Sequence, residues 1–184
     1  MNPEQWTQKT REAVQASEQV ARAHSHGEVH PAHLLLALLE QQDGLVPSLL
    51  AKLGVAPALC QSHAEDALAK LPRVEGSDLR GSQELSFLLQ AADAARTANG
   101  DEYLSTEHLL MALVTADSPL GKALNESGLT ADVVRSAVSQ IRGDRKVTND
   151  HPESQDEALK KYAQDLTALA REGQIGRASC RERV

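Results

Sequence analysis

Apolar residues recur at spacings of three and four along almost the whole chain, which is the period of an α-helix. The run from Leu34 to Leu39 is apolar on nearly every side, so we expect its helix to be central and buried. No alternating, β-branched run predicts a strand, and the predicted fold class is all-α. The predicted helices are a long first helix with Trp6 to Ala21 on its apolar face, a second from about residue 31 that ends before Gly44, and six more at 45–53, 57–70, 82–99, 106–116, 118–127 and 130–142.

The second half of this pattern repeats the first at an offset of 75 residues. Residues 23–39 and 98–114 share six identities in 17 positions, and His33 aligns with His108. This similarity predicts two sequence-related repeats of four helices each, at about 1–70 and 82–142. Since one repeat alone would bury little apolar surface, we expect the two to pack together as a single domain of residues 1–142.

The character of the sequence changes after Arg142. Residues 143–155 are polar and nearly free of apolar side chains, which is typical of a linker. Residues 156–174 form another amphipathic pattern, interpreted as one extra helix that opens a further domain. Residues 175–184 resemble one reading frame of a sequencing adapter, and we expect this tail to be non-native.

Charge and composition exclude several classes of protein. Lys and Arg number 19 against 26 Asp and Glu, a net charge of −7, and the four Trp, Tyr and Phe residues are too few for base-stacking platforms, so we expect no nucleic-acid partner. No apolar run reaches the roughly 18 residues of a membrane span, so we expect no membrane partner. With two cysteines, Cys60 and Cys180, and no export leader, the prediction is a cytoplasmic protein.

No catalytic motif is present: the sequence contains no phosphate loop, no His-Glu-x-x-His and no Gly-x-Ser-x-Gly. The prediction is therefore that the chain is not an enzyme and that it holds no cofactor. Four imidazoles, His24, His26, His30 and His33, could together bind zinc or nickel. Because His33 has a repeat counterpart in His108, we interpret those two as structural and place His24 and His26 at an exposed helix end, so we expect no metal site.

The doubled helical pattern carries a family resemblance. The first repeat reads His-Pro-Ala-His-Leu-Leu-Leu-Ala-Leu-Leu at 30–39, and the second reads Ser-Thr-Glu-His-Leu-Leu-Met-Ala-Leu at 105–113. These motifs resemble the N-terminal repeat domain of the Clp heat-shock ATPases. Leu-Pro-Arg-Val-Glu-Gly at 71–76 is similar to the ClpB branch, and 157–173 is similar to the helix that leads into that family's first ATPase domain.

The resemblance implies a role in protein disaggregation. It implies that the parent protein is a homo-hexameric AAA+ ring, which uses ATP and magnesium to thread polypeptides in cooperation with a DnaK-type chaperone system. This chain would then be the domain that recruits unfolded or aggregated polypeptides. Without the ring-forming parts, we expect it to be a monomer.

The resemblance also implies polypeptide-binding residues, in a shallow groove between the repeats. Thr7, Asp101 and Glu107 match polar positions that the family uses in substrate handling, although Thr7 and Glu107 fit equally well as helix-start residues. Ala91 and Ala95 match apolar positions of the groove, and alanine offers less surface than the larger residues often found there.

Phe87 is a further candidate for polypeptide binding, on independent grounds. It lies off the predicted core stripe of the fifth helix, so we expect its ring to be exposed. An exposed aromatic ring suits contact with unfolded chains, whereas packing against a neighbouring helix is the structural alternative.

Two other functions remain open from the sequence. The chain resembles the adaptor-docking domains of the ClpA and ClpC branches, but Ala32 stands where the ClpC pattern has a glutamate to pair with the one at Glu107. A stand-alone Clp-repeat binding module is the second alternative. The amphipathic pattern at 157–173 speaks against it, because such a module has no use for that segment.

Overall fold

The computed structural model describes residues 3–42, 44–74, 78–142 and 146–150. The chain divides into two units, Met1–Pro152 and Glu153–Val184, and every described residue belongs to the first. The extra helix predicted at 156–174 and the tail at 175–184 therefore lie outside the described residues.

Helices dominate the first unit, and the all-α prediction is confirmed. A short 3-10 helix at Pro3–Gln5 precedes them. The α-helices agree with the predicted ones to within a few residues: α1 (Gln8–Ala23), α2 (Pro31–Glu40), α3 (Leu45–Leu53), α4 (Pro57–Leu68), α5 (Gln83–Asn99), α6 (Thr106–Thr115), α7 (Pro119–Glu126) and α8 (Ala131–Arg142).

Two strands were not expected from the sequence. β1 (Glu28–Val29) and β2 (Arg80–Gly81) pair in parallel, with Val29 opposite Gly81. Each strand has two residues, which is too short to produce a visible alternation of apolar and polar positions.

The two long helices begin in the same way. Thr7 is the N-cap of α1, and its hydroxyl oxygen accepts the Thr10 N–H at 3.2 Å. Ser82, 75 residues further on, is the N-cap of α5 and accepts the Leu85 N–H at 3.1 Å. The helix-start role that the sequence offers for Thr7 is confirmed, and Ser82 has the same role in the second repeat.

The backbone at each of these caps bonds to the other repeat. The N–H of Thr7 donates to the Leu104 carbonyl at 2.9 Å, just before α6, and the N–H of Ser82 donates to the Val29 carbonyl at 3.0 Å, just before α2. Leu104 and Val29 are themselves equivalent positions of the repeat. The repeats are therefore tied together reciprocally, which makes one folding unit of the two.

The core lies around α2 and α6, as the apolar run in α2 predicts. Apart from the half-buried Leu39, their leucines are buried, and the short helices of both repeats cover them. The largest fully buried side chains are Leu34, Leu35, Leu38, Leu49, Leu50, Leu68, Leu104, Leu109, Leu110, Leu113, Leu124 and Leu129. Cys60 is also buried, as a small apolar residue in α4.

Residues 146–150, here named the docked segment, differ from the linker predicted for 143–155. Val147 is only 2% exposed, and the Gln8 N–H donates to the carbonyl of Asp150 at 2.8 Å. Five residues of the predicted linker therefore lie against the helical domain. The buried side chain is a single valine, so the mean polarity of residues 143–155 does not reveal this contact.

No single helix among the described residues is long and apolar enough to cross a membrane. The helices α3 and α4, with a bend of 117° between them, are together long and apolar enough for a membrane span, by length and composition alone.

Candidate functional site

An apolar face of α5 is open to solvent. Phe87 is 58% exposed, which confirms the exposure predicted for it. Ala91 is exposed and Ala95 is half-buried, and spacings of four residues put all three on one side of the helix. Ala94 and Ala98 are exposed as well, and they continue the surface toward the end of the helix. We name these five residues the α5 face.

The opposite side of α5 explains why this face is open. Leu85, Leu88 and Ala92 are buried against the core and fix the orientation of the helix. In the first repeat the position equivalent to Phe87 is Glu12, whose carboxylate pairs with Lys9 at 3.3 Å. The exposed aromatic ring is therefore a property of the second repeat and not of the repeated pattern.

A buried ionic cluster lies beside the end of α5. Arg142, the last residue of α8, donates to Asp101 Oδ1 at 2.6 Å and to Glu107 Oε1 at 2.5 Å. His108 Nε2 lies 3.0 Å from Asp101 Oδ2. We name Asp101, Glu107, His108 and Arg142 the Arg142 cluster.

The two carboxylates of this cluster are shielded from water. The side chains of Asp101 and Glu107 are 1% and 5% exposed. Burial on its own raises the pKa of Asp101, but hydrogen bonds from Arg142 and from the Val147 N–H, with the positive charge of Arg142, hold that pKa below its ordinary value. Asp101 therefore remains a charged acceptor inside the fold.

The docked segment is bound to this cluster through its backbone. The Val147 N–H donates to Asp101 Oδ1 at 2.7 Å. The Val147 carbonyl accepts from the N–H groups of Glu102 and Tyr103, at 2.9 and 3.2 Å. Asp101 thus connects the end of α8, the loop after α5 and the docked segment.

The structure separates the predicted polypeptide-binding residues into two groups. Phe87, Ala91 and Ala95 share the α5 face, whereas Asp101 and Glu107 meet on Arg142 in the interior. Thr7 is completely buried, and it belongs to neither group because its hydroxyl caps α1. The three polar residues therefore offer no exposed side chain to a partner in this conformation.

The first repeat has a histidine pair where the second has an ion pair. His26 Nδ1 and His33 Nε2 are 2.8 Å apart, and His26 is 7% exposed, so the prediction that it lies at an exposed helix end is wrong. The reason is tertiary: backbone bridging between His26 and Arg73 covers this end with the connection between the repeats. His24 is half-buried, and its ring stacks on that of His26 with centroids 5.7 Å apart.

Both histidines of this pair resist protonation. Burial lowers the pKa of His33 to about 4, and the neighbouring His26, His30 and His24 add to the effect. Burial also lowers the pKa of His26, together with His24, Arg73 and His30. Two neutral imidazoles that bond to each other are consistent with a structural role.

The described residues show no cluster of side chains that could hold a metal ion. Across the described ranges no three His, Cys, Asp or Glu side chains converge in a way that could hold a metal ion. Gly121-Lys122, the nearest approach in the sequence to a phosphate loop, lies within α7, where the Gly121 N–H donates to Ser118 Oγ and Lys122 pairs with Asp117 at 2.8 Å.

The sequence analysis missed Arg142 and Val147 as site residues. Arg142 is the last residue of the helix predicted at 130–142, and Val147 lies in the linker predicted at 143–155. The available signals were a basic residue in the last turn of α8 and a single β-branched residue within a polar run. Neither signal indicates a partner 40 or more residues away along the chain.

The fold and the two-repeat pattern agree with a known family. The family described as "Clp repeat (R) N-terminal domain" matches residues 5–127. The chain belongs to this family.

Its sequence relatives are ClpB chaperones. It is 41% identical over 172 residues to the chaperone protein ClpB of Bdellovibrio bacteriovorus and 42% identical over 173 residues to that of Corynebacterium diphtheriae, in each case over 92% of this chain and 20% of the relative. The chain thus spans about a fifth of the length of the curated relatives it matches.

Solved structures support the fold. The Hsp104 N-terminal domain of Candida albicans superposes with a TM-score of 0.69 at 18% identity, over 79% of this chain and 97% of that one. The N-terminal domain of the ClpV1 ATPase from Escherichia coli gives a TM-score of 0.65 at 22% identity, over 82% of this chain and 91% of that one.

Proposed function

We propose that this domain recruits unfolded or aggregated polypeptides for a ClpB-type disaggregase and that the α5 face is its contact surface. The observation that carries the proposal is the exposed ring of Phe87, with alanines next to it on the same side of the helix. An exposed apolar surface without charged side chains of its own suits chains of many sequences, because apolar contact is not directional.

Thr7, Asp101 and Glu107 have a supporting place in this proposal. Their side chains are buried, so they would act on a polypeptide at the α5 face through the structure around them and not by direct contact with that face. Asp101 and Glu107 hold the end of α8 and the docked segment beside the end of α5.

The rest of the activity would belong to the longer protein. In the ClpB-type relatives, four-fifths of the length lies outside the match to this chain. We propose that ATP, magnesium, the contacts of a hexameric ring and cooperation with a DnaK-type system belong to that part. This chain alone would be a monomeric, cytoplasmic binding domain without catalysis.

Adaptor docking of the ClpA or ClpC kind has less support. Ala32 and Glu107, the two positions of the ClpC pattern, are 3% and 4% exposed, and Glu107 is engaged by Arg142. A ligand at these positions would have to displace the arginine first.

The test is binding of a permanently unfolded protein, such as reduced and carboxymethylated lactalbumin, measured by fluorescence anisotropy. Phe87→Ala should weaken binding at least about fivefold, since exposed aromatic side chains are frequent binding hot spots. Its Tm should stay at the wild-type value, because the ring is mostly outside the core.

Leu59→Ala is the matched control. Leu59 is 43% exposed on α4, so this variant also removes an exposed apolar side chain, but away from the α5 face. It should bind as the wild type does. An unchanged affinity of Phe87→Ala, or an equal loss in Leu59→Ala, would contradict the proposal.

A further inference from the structure

The docked segment is held in the manner of a bound peptide. Its polar contacts at Val147 use the main chain: the N–H donates to the Asp101 carboxylate, and the carbonyl accepts from Glu102 and Tyr103. Within the segment, the side chain of Val147 is buried and those of Lys146 and Thr148 are exposed. The half-buried side chain of Asp150 pairs with Arg11 at 3.5 Å.

Main-chain contacts of this kind discriminate little between peptides of different sequence. Main-chain N–H and carbonyl groups are present in every peptide, and recognition through them with one pocket for a side chain is a recurrent way of binding unfolded segments. The requirement that remains is a residue of about the size of valine at the central position. A polypeptide segment with an apolar, β-branched residue would meet it.

Several contacts that shape the loop at residues 101–103 do not involve the docked segment. Gly100 turns the chain at φ +71°, a conformation that favours glycine, so that the N–H groups of Glu102 and Tyr103 converge on one oxygen. The Asp101 carboxylate is fixed by Arg142 and by His108 Nε2. The acceptor and the two donors are therefore preorganised.

An incoming chain has room beside this loop. A cleft of about 500 Å³ opens next to it, and its lining includes Gly100, Asp101, Glu102 and Tyr103. The same loop residues thus face the docked segment and an open cleft. A peptide could enter from the cleft and exchange places with the docked segment.

We propose that the loop 101–103 is a second polypeptide-binding site, from which an extended segment of an unfolded chain displaces residues 146–150. The docked segment is then an internal competitor that occupies the site at rest. One buried valine side chain is a small contact, which local opening can break while the helices stay folded. This inference rests on the proposed function, because it assigns a further contact to the same class of ligand.

The first experiment uses the full chain and a fluorescent peptide with the sequence of residues 145–150, Arg-Lys-Val-Thr-Asn-Asp. Val147→Asp places a carboxylate next to that of Asp101 and releases the docked segment. The variant should bind the peptide at least about tenfold more tightly than the wild type, because apparent affinity scales with the fraction of sites that are open.

Thr148→Asp is the matched control. It adds the same charge one residue further on, at an exposed position of the same segment, and leaves Val147 in place. Its affinity for the peptide should equal that of the wild type. Equal affinities of the wild type and Val147→Asp, or an equal gain in Thr148→Asp, would overturn the inference.

A second measurement needs no variant. Hydrogen exchange of the wild-type chain, with and without the unfolded lactalbumin probe, should show faster exchange at the Val147 amide when the probe is bound. The amides of Glu102 and Tyr103 should stay protected, because a carbonyl of the incoming chain replaces the Val147 carbonyl as their acceptor. A Val147 amide that keeps its protection at saturating probe would overturn the inference.

The two proposals fail in different ways. If the α5 face is wrong, Phe87→Ala binds the unfolded protein as the wild type does, while the exchange at Val147 still reports on the loop. If the loop site is wrong, the effect of Phe87→Ala persists and the Val147 amide does not change.

Discussion

His33 and His108 occupy the same place in the two repeats, 75 residues apart, and bond at Nδ1 in the same way. His33 Nδ1 accepts the N–H of His30 at 2.9 Å, and His108 Nδ1 accepts the N–H of Ser105 at 3.1 Å. Each ring therefore fixes the first turn of a buried helix. Because Nδ1 accepts in both, a neutral ring carries its proton on Nε2.

The partners of the two Nε2 atoms are opposite in character. His33 Nε2 meets the ring of His26, and His108 Nε2 meets the carboxylate of Asp101. His26 and Asp101 are themselves equivalent positions of the repeat. The shared framework thus carries a neutral histidine pair in the first repeat and part of an ionic cluster in the second.

The first prediction concerns acid stability. His33 has a pKa of about 4 in the folded chain, against about 6.5 when unfolded, so folding favours its neutral form. The stability that this provides is fully present above pH 6.5 and is lost as the pH falls toward 4. After allowance for solvent screening, we expect the free energy of unfolding to fall by about 1 to 2 kcal/mol across this window, measured by urea denaturation.

His26→Asp tests the origin of this acid sensitivity. An aspartate at this position reproduces the arrangement of Asp101 and His108, and it would stabilise a protonated His33. The fall between pH 6.5 and 4 should then be absent. If wild type and variant lose stability in parallel, the histidine pair is not its source.

The second prediction concerns two turns that precede these residues. Ser25 has φ +57°, and its repeat counterpart Gly100 has φ +71°. Glycine adopts this left-handed conformation without strain, so Ser25→Gly should raise the free energy of unfolding by about 0.5 to 1 kcal/mol, and Gly100→Ala should lower it by about 1 kcal/mol. Thermal denaturation of both variants checks the signs, and a destabilising Ser25→Gly contradicts the argument.

The third prediction concerns Arg142. Arg142→Met leaves the carboxylates of Asp101 and Glu107 buried without their cation, and we expect a loss of about 3 to 5 kcal/mol in urea denaturation. The triple variant with Asp101→Asn and Glu107→Gln removes the unpaired charges as well and should be more stable than Arg142→Met alone. A triple variant that is less stable than the single one would show that the carboxylates do not carry the cost.

The fourth prediction separates steric from conformational effects of glycine. A Cβ on Gly121 would stand 2.3 Å from the carbonyl oxygen of Ala116, so Gly121→Ala should lower the free energy of unfolding by about 2 to 4 kcal/mol. Gly54 has φ +67° but open space around it, and Gly54→Ala should cost only about 1 kcal/mol. Similar losses for both would contradict the close approach of α7 to the end of α6.

The helices could be predicted from the sequence because their signals are local. The apolar spacing, the caps at Thr7 and Ser82 and the breaks at Gly44 and Gly54 each depend on a few neighbouring residues. The reciprocal bonds from the two caps to Leu104 and Val29 could not be predicted, since they join residues far apart along the chain.

In the candidate site, too, only the features with a local sequence signal could be predicted. The exposure of Phe87 followed from its place off the core stripe of one helix. The burial of Asp101 and Glu107 did not, because it depends on Arg142 at the end of another helix and on Val147 beyond it. Their burial has no local signal, since their cation is 35 or more residues away in sequence.

The measurement that tests the central claim most directly is a map of amide chemical shifts in the full chain, with and without the unfolded lactalbumin probe. The account predicts that perturbed amides include Phe87, Ala91 and Ala95 on α5. Perturbations confined to α4 and α8, around Leu59 and Val133, or none at saturating probe, would contradict it, because those exposed apolar side chains lie outside the α5 face.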